Sequence, residues 1–398
     1  MTRRVWSKAW RRVATAAVVG LVTGCAARST PMPVGAARSG AWAAAVRDPA
    51  LRDTVQRLLD GARRDSVFPG GIAVVGDRSG VLAWASTGTL DWAPSPAVDA
   101  ETLWDLASLT KLVALTSTIA TLVDDRTLTL DDRVQRWVPE WTIPGAAEIT
   151  LRDLLLHRSG LPAHRNFYLQ GQGLDAVRAI VLATPLDTTP RTRMVYSDLG
   201  AIILGLVVER ATRLPFDEAV RRRVLEPAGM RETRFRPPAR EWPRTAPTER
   251  DPWRGRLVRG EVHDENAFAM GGVSSHAGLF STARDMERFA RLWLSGGVLD
   301  GRRVISEATV REFSTVVDST FSSRAIGWDT PTGTNSAGTI ATRPAYGHTG
   351  FTGTSLWIDP RRDRYVLLLT NRVNPRRERT GIAGVRIAVA DAVFSAVR

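Results

Sequence analysis

The stretch DLASLTKL, residues 105–112, places a serine three residues before a lysine, and lysine is rare in this chain. Among the 54 lysine and arginine residues of the 398-residue sequence, only Lys8 and Lys111 are lysine. An apolar repeat predicts a helix over 108–124, so Ser108 and Lys111 should share one helix face. Arginine effectively never gives up its proton, whereas lysine can act as a base once burial lowers its pKa. Ser108 is therefore a candidate nucleophile and Lys111 its candidate base.

Taken alone, this spacing has a simpler explanation, because Ser108 could cap the helix and Lys111 could be a solvated surface residue. Two further stretches favour catalysis. RMVYSDLGAIILGLVVE (193–209) places Tyr196 just before an apolar helix, with Asp198 two residues later. YGHTGFTGTSLWID (346–359) places His348, Thr349 and Gly350 at the start of a predicted strand.

These three motifs, in this order, resemble those of the serine β-lactamase and penicillin-binding protein superfamily. The nearest branch resembles class C β-lactamases and their relatives among D,D-peptidases, D-aminopeptidases and esterases. The long stretch 246–286 is similar to serine hydrolases of the penicillin-binding protein 4B type. The resemblance extends over about residues 47–398.

The resemblance implies a role for each motif. Ser108 would attack a carbonyl and form an acyl-enzyme, while Lys111 and Tyr196 share the proton transfers. The backbone N–H groups of Ser108 and Phe351 would form the oxyanion hole. The residues expected to contact substrate are Asp198, His348, Thr349 and Gly350. Neither a metal nor a cofactor is implied, and the expected ligands are small-molecule or peptidoglycan-derived substrates, with β-lactams as covalent ligands.

Two departures from the family pattern affect the expected substrate. His348 stands where lysine is frequent, and a mostly neutral imidazole would anchor a substrate carboxylate weakly. Asp198 stands where asparagine is frequent, and its charge should hold Lys111 protonated. Both changes favour a D,D-peptidase- or esterase-like activity. A class C type β-lactamase and a non-catalytic peptidoglycan-binding relative remain as alternatives.

The first 24 residues are typical of a bacterial lipoprotein signal peptide. Five basic side chains precede the apolar run VATAAVVGLVTG (13–24), which is too short for a spanning helix. LVTGC resembles a lipobox ending at Cys25, the only cysteine, although an ordinary secretory signal with an incidental Cys25 would look similar. Residues 25–46 would be a flexible tether. The expected location is the bacterial cell envelope, lipid-anchored on the periplasmic side.

The formal charge of +13 falls to +8 without that segment, and the remaining arginines are interspersed with acidic residues. This pattern is unlike a nucleic-acid groove, so no nucleic-acid partner is expected.

Periodicity predicts an α/β (α+β) fold in a domain spanning 47–398. Residues 47–103 and 345–398 should build one antiparallel sheet flanked by helices, with 104–344 inserted as a helical subdomain. Helices are predicted at 108–124, 151–157, 197–212, 215–224 and 283–295. His263, Asp264 and His276 fit no metal-binding spacing and are interpreted as loop structure or cleft lining, and His157 as a helix-end residue.

Overall fold

The computed structural model describes residues 46–316, 319–320, 323–333 and 335–396. The predicted signal peptide, the lipidation site Cys25 and almost all of the predicted tether lie outside the described residues. Within the described part, no helix is both long enough and apolar enough to cross a membrane.

The described residues form twelve strands, numbered in chain order: β1 Gly70–Asp77, β2 Gly80–Gly88, β3 Trp104–Asp105, β4 Arg234–Phe235, β5 Arg250–Asp251, β6 Arg256–Leu257, β7 Leu279–Ser281, β8 Val298–Leu299, β9 Arg302–Arg303, β10 Tyr346–Thr349, β11 Ser355–Asp359 and β12 Arg364–Thr370. Five of them form an antiparallel sheet in the order β10-β11-β12-β1-β2. The two ends of the chain therefore share one sheet, which confirms the predicted fold class.

The same part of the chain contains eleven α-helices, numbered likewise: α1 Pro49–Arg64, α2 Ser117–Asp124, α3 Val134–Trp137, α4 Leu151–Leu155, α5 Leu174–Ala183, α6 Asp198–Thr212, α7 Phe216–Val220, α8 Glu265–Ala269, α9 Ala283–Leu294, α10 Glu307–Ser314 and α11 Ile382–Ser395. Lys111–Thr116 and Arg221–Leu225 are π-helical turns, and Ala146–Glu148, Phe167–Leu169 and Ala239–Arg244 are 3₁₀ helices. The predicted helix over 108–124 is thus π-helical in its first half rather than uniformly α-helical.

Strand β1, which lies between β12 and β2 in the sheet, has two buried faces, which explains its continuous apolar sequence. Ile72 and Val74 point into the core shared with the inserted region, whereas Ala73 and Val75 point towards the core beneath α1 and α11. Successive side chains of a strand alternate between faces, so one apolar run covers both sides. The sheet is consequently a rigid support for the elements that end near its β10 edge.

Helix α6 is the central helix of the inserted region and is buried along most of its length. Its N-cap is Ser197, whose hydroxyl accepts a hydrogen bond from Gly200 N–H and donates one to Pro162 O at 2.7 Å. Such a cap contributes about 1 kcal/mol to stability. The cap fixes Tyr196 just before the helix and Asp198 at its first turn.

Candidate active site

Ser108 lies at a sharp turn between β3 and the helical segment that follows. Ala107 adopts φ +47°, a left-handed conformation that costs a non-glycine residue about 1–3 kcal/mol. The buried carboxylate of Asp105 stabilises the turn by accepting a hydrogen bond from Ala107 N–H at 2.8 Å. The turn places Ser108 on the wall of a cavity of about 310 Å³.

Lys111 is buried beneath Ser108, with only 5% of its side chain exposed. Its Nζ atom lies 3.1 Å from Ser108 Oγ, 2.9 Å from the backbone oxygen of His276 and 2.7 Å from Asp198 Oδ1. An ammonium group has three hydrogens, and these three acceptors use all of them. The ammonium is therefore held in one orientation, with one hydrogen directed at the serine oxygen.

The charge on Lys111 is decided by two opposing effects. Burial alone would lower the pKa of Lys111, but the carboxylate of Asp198 and then Tyr196 raise it, so the net pKa is above its ordinary value. For Asp198 the two effects have the opposite signs. Burial alone would raise the pKa of Asp198, but Lys111 lowers it by more, so the net pKa is below its ordinary value. Both groups are charged at neutral pH. The sequence predicted this, because Asp198 stands where asparagine is frequent in the family.

Tyr196 is surrounded by aromatic rings and cations. Its ring centroid lies 4.5 Å from that of His157 and 5.4 Å from that of His348, and Lys111 Nζ lies 4.9 Å from it. The Tyr196 hydroxyl is buried and makes no hydrogen bond of normal geometry with the residues that the structure describes. A buried polar atom without a partner is costly, so this hydroxyl is available to a reacting group in the cavity.

His157 holds the backbone on both sides of Tyr196, which its interpretation as a helix-end residue did not anticipate. His157 lies beyond the end of α4 and has φ +54°. Its backbone oxygen accepts a hydrogen bond from Val195 N–H at 2.8 Å, and its Nδ1 accepts one from Ser197 N–H at 3.1 Å. Burial, then Arg324 and Lys111, lowers the pKa of His157 well below its ordinary value. A neutral ring is required for Nδ1 to accept this hydrogen bond.

The third motif lies at the end of β10 and not, as predicted, at the start of the strand that becomes β11, and its residues have different surroundings. Phe351 is 49% exposed and lines the cavity together with Asp198, whereas His348 is buried against Tyr196. Burial, then Arg324 and Lys111, lowers the pKa of His348 well below its ordinary value, and its Nδ1–H donates to Thr349 O at 2.7 Å. A neutral, buried imidazole is a weak anchor for a carboxylate.

Gly350 lets the third motif approach the serine turn closely. A Cβ atom at Gly350 would lie 2.6 Å from the backbone oxygen of Leu106 and 2.1 Å from Thr354 Oγ1. Two threonine hydroxyls join the same segments, Thr352 to Asp105 O at 2.8 Å and Thr354 to Leu106 O at 3.0 Å. These contacts fix the distance between the turn that carries Ser108 and the loop that carries Phe351.

The backbone N–H groups of Ser108 and Phe351 are both free to bind a ligand. Neither donates a hydrogen bond to any acceptor among the residues that the structure describes. Both residues line the same cavity. Two unpaired donors beside a serine hydroxyl are the geometry that stabilises the oxyanion of acyl transfer.

All five histidines of the chain lie at or beside this cavity, and sequence reasoning gave none of them a positioning role. His164 Nδ1 lies 3.3 Å from Asp198 Oδ2, and this contact raises the pKa of His164. His276 Nε2 lies 2.9 Å from Asp264 Oδ1, and His263 stacks on Phe351 at 5.6 Å. Only His348 belongs to one of the three motifs, so the sequence gave no signal for the positions of the other four.

Twelve residues line the cavity: Ala107, Ser108, His164, Tyr196, Asp198, His263, Asp264, Glu265, His276, Ala277, Phe351 and Arg377. Arg377 donates through Nε to Glu249 at 2.7 Å and through Nη2 to Glu265 at 2.5 Å, so both glutamates fix its position. In the part of the chain that the structure describes, no three metal-binding side chains cluster in a way that could hold an ion.

The sheet, the inserted helices and the Ser-x-x-Lys, Tyr-x-Asp and His-Thr-Gly motifs together define the class: this is a protein of the serine β-lactamase and penicillin-binding protein superfamily. The profile of the Beta-lactamase family matches residues 51–390, and the chain belongs to that family.

Similar proteins agree with this assignment. A protein of Escherichia coli K12, provisionally named D-alanyl-D-alanine carboxypeptidase, is 34% identical over 303 residues, which are 68% of this chain and 69% of that protein. EstCE1, a hydrolase with promiscuous acyltransferase activity, has the same fold with a TM-score of 0.71 and 20% identity, over 86% of this chain and 98% of its own. A penicillin-binding protein homologue from Caulobacter crescentus gives a TM-score of 0.71 and 20% identity, over 87% of this chain and 98% of that protein.

Proposed function

We propose that this protein is a serine hydrolase that cleaves an amide or ester through an acyl-serine intermediate, with a D,D-peptidase- or esterase-like preference. One observation carries the proposal. Lys111 Nζ lies 3.1 Å from Ser108 Oγ, and this serine shares its cavity with two unpaired backbone N–H donors. Nucleophile, proton-transfer group and oxyanion donors thus converge on one position.

In the proposed acylation step, Ser108 Oγ forms a bond to the substrate carbonyl carbon. Lys111 is charged in the free enzyme, so one proton must first leave the Lys111–Tyr196 pair. The pair then accepts the serine proton and passes it to the leaving nitrogen or oxygen, whose bond to the carbonyl carbon breaks. In deacylation, the oxygen of a water molecule bonds to the acyl carbon and the bond between that carbon and Ser108 Oγ breaks. One proton of the water passes through the Lys111–Tyr196 pair to Oγ, so Ser108 recovers its hydroxyl.

The charges of the site support a substrate without a carboxylate on the leaving side. His348 is neutral and buried, the three hydrogens of Lys111 are occupied, and two glutamates pair with Arg377. A β-lactam carboxylate would therefore meet little free positive charge. The name of the E. coli relative supports a D-alanyl peptide as a second substrate to examine. The leaving D-alanine of such a peptide carries a carboxylate, so the charges of the site by themselves favour the ester.

Turnover of three substrates, measured side by side, tests this preference: a nitrophenyl ester, a D-Ala-D-Ala peptide and a chromogenic cephalosporin. We expect turnover of the ester or the peptide to exceed that of the cephalosporin. Fastest turnover of the cephalosporin would contradict the preference and favour the β-lactamase alternative. Failure of both a fluorophosphonate and a fluorescent β-lactam to label Ser108 would favour a non-catalytic peptidoglycan-binding relative.

We further propose that the protein is lipid-anchored through Cys25 on the periplasmic side of a bacterial cell envelope. The lipobox-like LVTGC sequence supports this proposal. Cys25→Ser should move the protein from the membrane fraction to the soluble fraction, because a lipidated cysteine is the anchor that the sequence offers. Fractionation of wild type and variant measures this, and a variant that stays in the membrane pellet would contradict it.

A further inference from the structure

An arginine from α11 binds the loop between β10 and β11 at two points, in addition to Arg372, whose Nε donates to Phe351 O at 3.0 Å. Arg386 Nη2 donates one hydrogen bond to Gly350 O and one to Thr354 O, each at 2.7 Å. The same two residues close the loop internally, since Gly350 N–H donates to Thr354 O at 2.7 Å and Gly353 N–H donates to Gly350 O at 3.1 Å.

The oxygen that Arg386 binds belongs to the peptide unit that supplies one of the oxyanion donors. Gly350 C=O and Phe351 N–H are the two ends of one planar trans peptide, so they point in opposite directions. Fixing the oxygen therefore fixes the direction of Phe351 N–H. That N–H has no acceptor among the described residues, and Phe351 lines the cavity with Ser108.

A cation on this oxygen also strengthens the donor. A charged hydrogen bond to a carbonyl polarises the peptide unit and makes its N–H a better donor. Burial, then Arg372, lowers the pKa of Arg386 to about 10, so the guanidinium remains charged at neutral pH. Its Nε is buried without a partner in the described structure, a cost that a favourable role for the guanidinium would offset.

We infer that Arg386 is a positioning residue of the oxyanion hole, which sets the direction and donor strength of Phe351 N–H through Gly350 O. This inference rests on the proposed acyl-serine function. Arg386 acts through one peptide unit and does not itself touch the substrate.

The test compares Arg386→Ala and Arg386→Lys with a matched control, Arg362→Ala. Arg362 Nη1 donates to Phe394 O at 2.9 Å, so the control also removes an arginine-to-carbonyl hydrogen bond at α11. Two readouts are needed: the acylation rate with KM, and the infrared stretching frequency of a ¹³C-labelled acyl-enzyme carbonyl. The carbonyl frequency reports the hydrogen bonds of the oxyanion hole directly.

We expect acylation of Arg386→Ala to be about 10–100-fold slower with KM little changed, because the donor is misdirected rather than removed. The acyl carbonyl should shift to higher frequency, millimolar guanidinium should restore part of both signals, and Arg386→Lys should be intermediate. Arg362→Ala should match wild type.

An unchanged carbonyl frequency in a folded Arg386 variant would overturn the inference, even if acylation were slower, since it would show a purely structural role. If Arg386→Ala does not fold, the same two readouts on Arg386→Lys decide. Absence of an acyl adduct on Ser108 in wild type would instead contradict the proposed function, and that outcome is seen before any variant is made.

Discussion

Asp198→Asn tests whether this carboxylate determines the charge of Lys111. Asp198 Oδ1 lies 2.7 Å from Lys111 Nζ, both groups are largely buried, and Asp198 raises the pKa of the lysine. The substitution removes the charge and keeps an amide oxygen of the same size as a hydrogen-bond acceptor. Lys111 should then lose a proton more easily, and the active, deprotonated form of the Lys111–Tyr196 pair should appear at lower pH.

The size of the effect follows from the distance. A carboxylate charge is shared by two oxygens, so the charge centres are separated by ~4 Å, at which an effective dielectric constant of ~20 gives an attraction of about 4 kcal/mol. At 1.36 kcal/mol per pKa unit this corresponds to about three units. The retained acceptor and relaxation of the site oppose part of the change, so we expect a shift of about two units.

The assay is the pH dependence of kcat/KM for acylation by a nitrophenyl ester. Its ascending limb, alkaline in wild type, should move to lower pH in Asp198→Asn. Asp264→Asn is the matched control. It removes a charge from the same cavity, and asparagine can still cap α8, but the native Asp264 pairs with His276 and not with Lys111. Its limb should move by less than about one unit. A limb that does not move in Asp198→Asn, or that moves to higher pH, would refute the reasoning.

Two other substitutions test separate parts of the site. Lys111→Arg keeps the charge but removes the proton-transfer group, so acylation should be about 10²–10⁴-fold slower with substrate binding little changed. Stopped-flow kinetics measures the acylation rate, and a rate within a few-fold of wild type would assign the proton transfer to Tyr196 instead. Gly350→Ala would place Cβ 2.6 Å from Leu106 O, so it should lower the free energy of unfolding by about 1–3 kcal/mol and slow acylation. Gly384→Ala is the control for Gly350→Ala, because its Cβ would meet nothing within 4 Å. Equal denaturation midpoints for the two variants would show that the fold does not need the close approach of Gly350 to Leu106 O.

Local periodicity was enough to predict four of the five strands of the sheet and most helices. Strand β10 was not predicted as a strand of its own, because its motif residues were assigned to the start of β11. The hairpins of β1 with β2 and of β11 with β12 followed from apolar runs on either side of short polar turns, and the structure pairs Asp77 with Gly80 and Asp359 with Arg364. The helix predicted over 283–295 is α9, which ends at Leu294. The spacing of apolar side chains shows which face of a helix or strand is buried, so a single sequence is enough to predict these elements.

The elements that sequence could not predict depend on contacts between distant segments. The π-helical turn at Lys111–Thr116 has the apolar spacing of an ordinary helix. The support of Tyr196 by His157 joins residues about forty positions apart, and the hydrogen bond from Arg386 to Gly350 O joins residues 36 positions apart. Periodicity describes which side of an element is buried, but it does not say which polar groups meet across the fold.

The charge of Lys111 is a partial exception. The aspartate at position 198 predicted a protonated lysine, and the structure adds the distance between Asp198 and Lys111 at which the carboxylate outweighs burial. At 2.7 Å the acidic neighbour prevails, and a protonated lysine becomes the starting state of the proposed mechanism.

Intact-mass spectrometry of wild type and Ser108→Ala, each incubated with a fluorophosphonate and with the nitrophenyl ester, tests the central claim most directly. The substitution removes one hydroxyl at the helix start, so the variant should fold like wild type, which circular dichroism would verify. We predict one covalent adduct on wild type, located on Ser108 by peptide mapping, and none on the variant. An adduct of the same mass on Ser108→Ala, or a wild type that turns over the ester but is not modified by the fluorophosphonate, would contradict an acyl-serine mechanism at this residue.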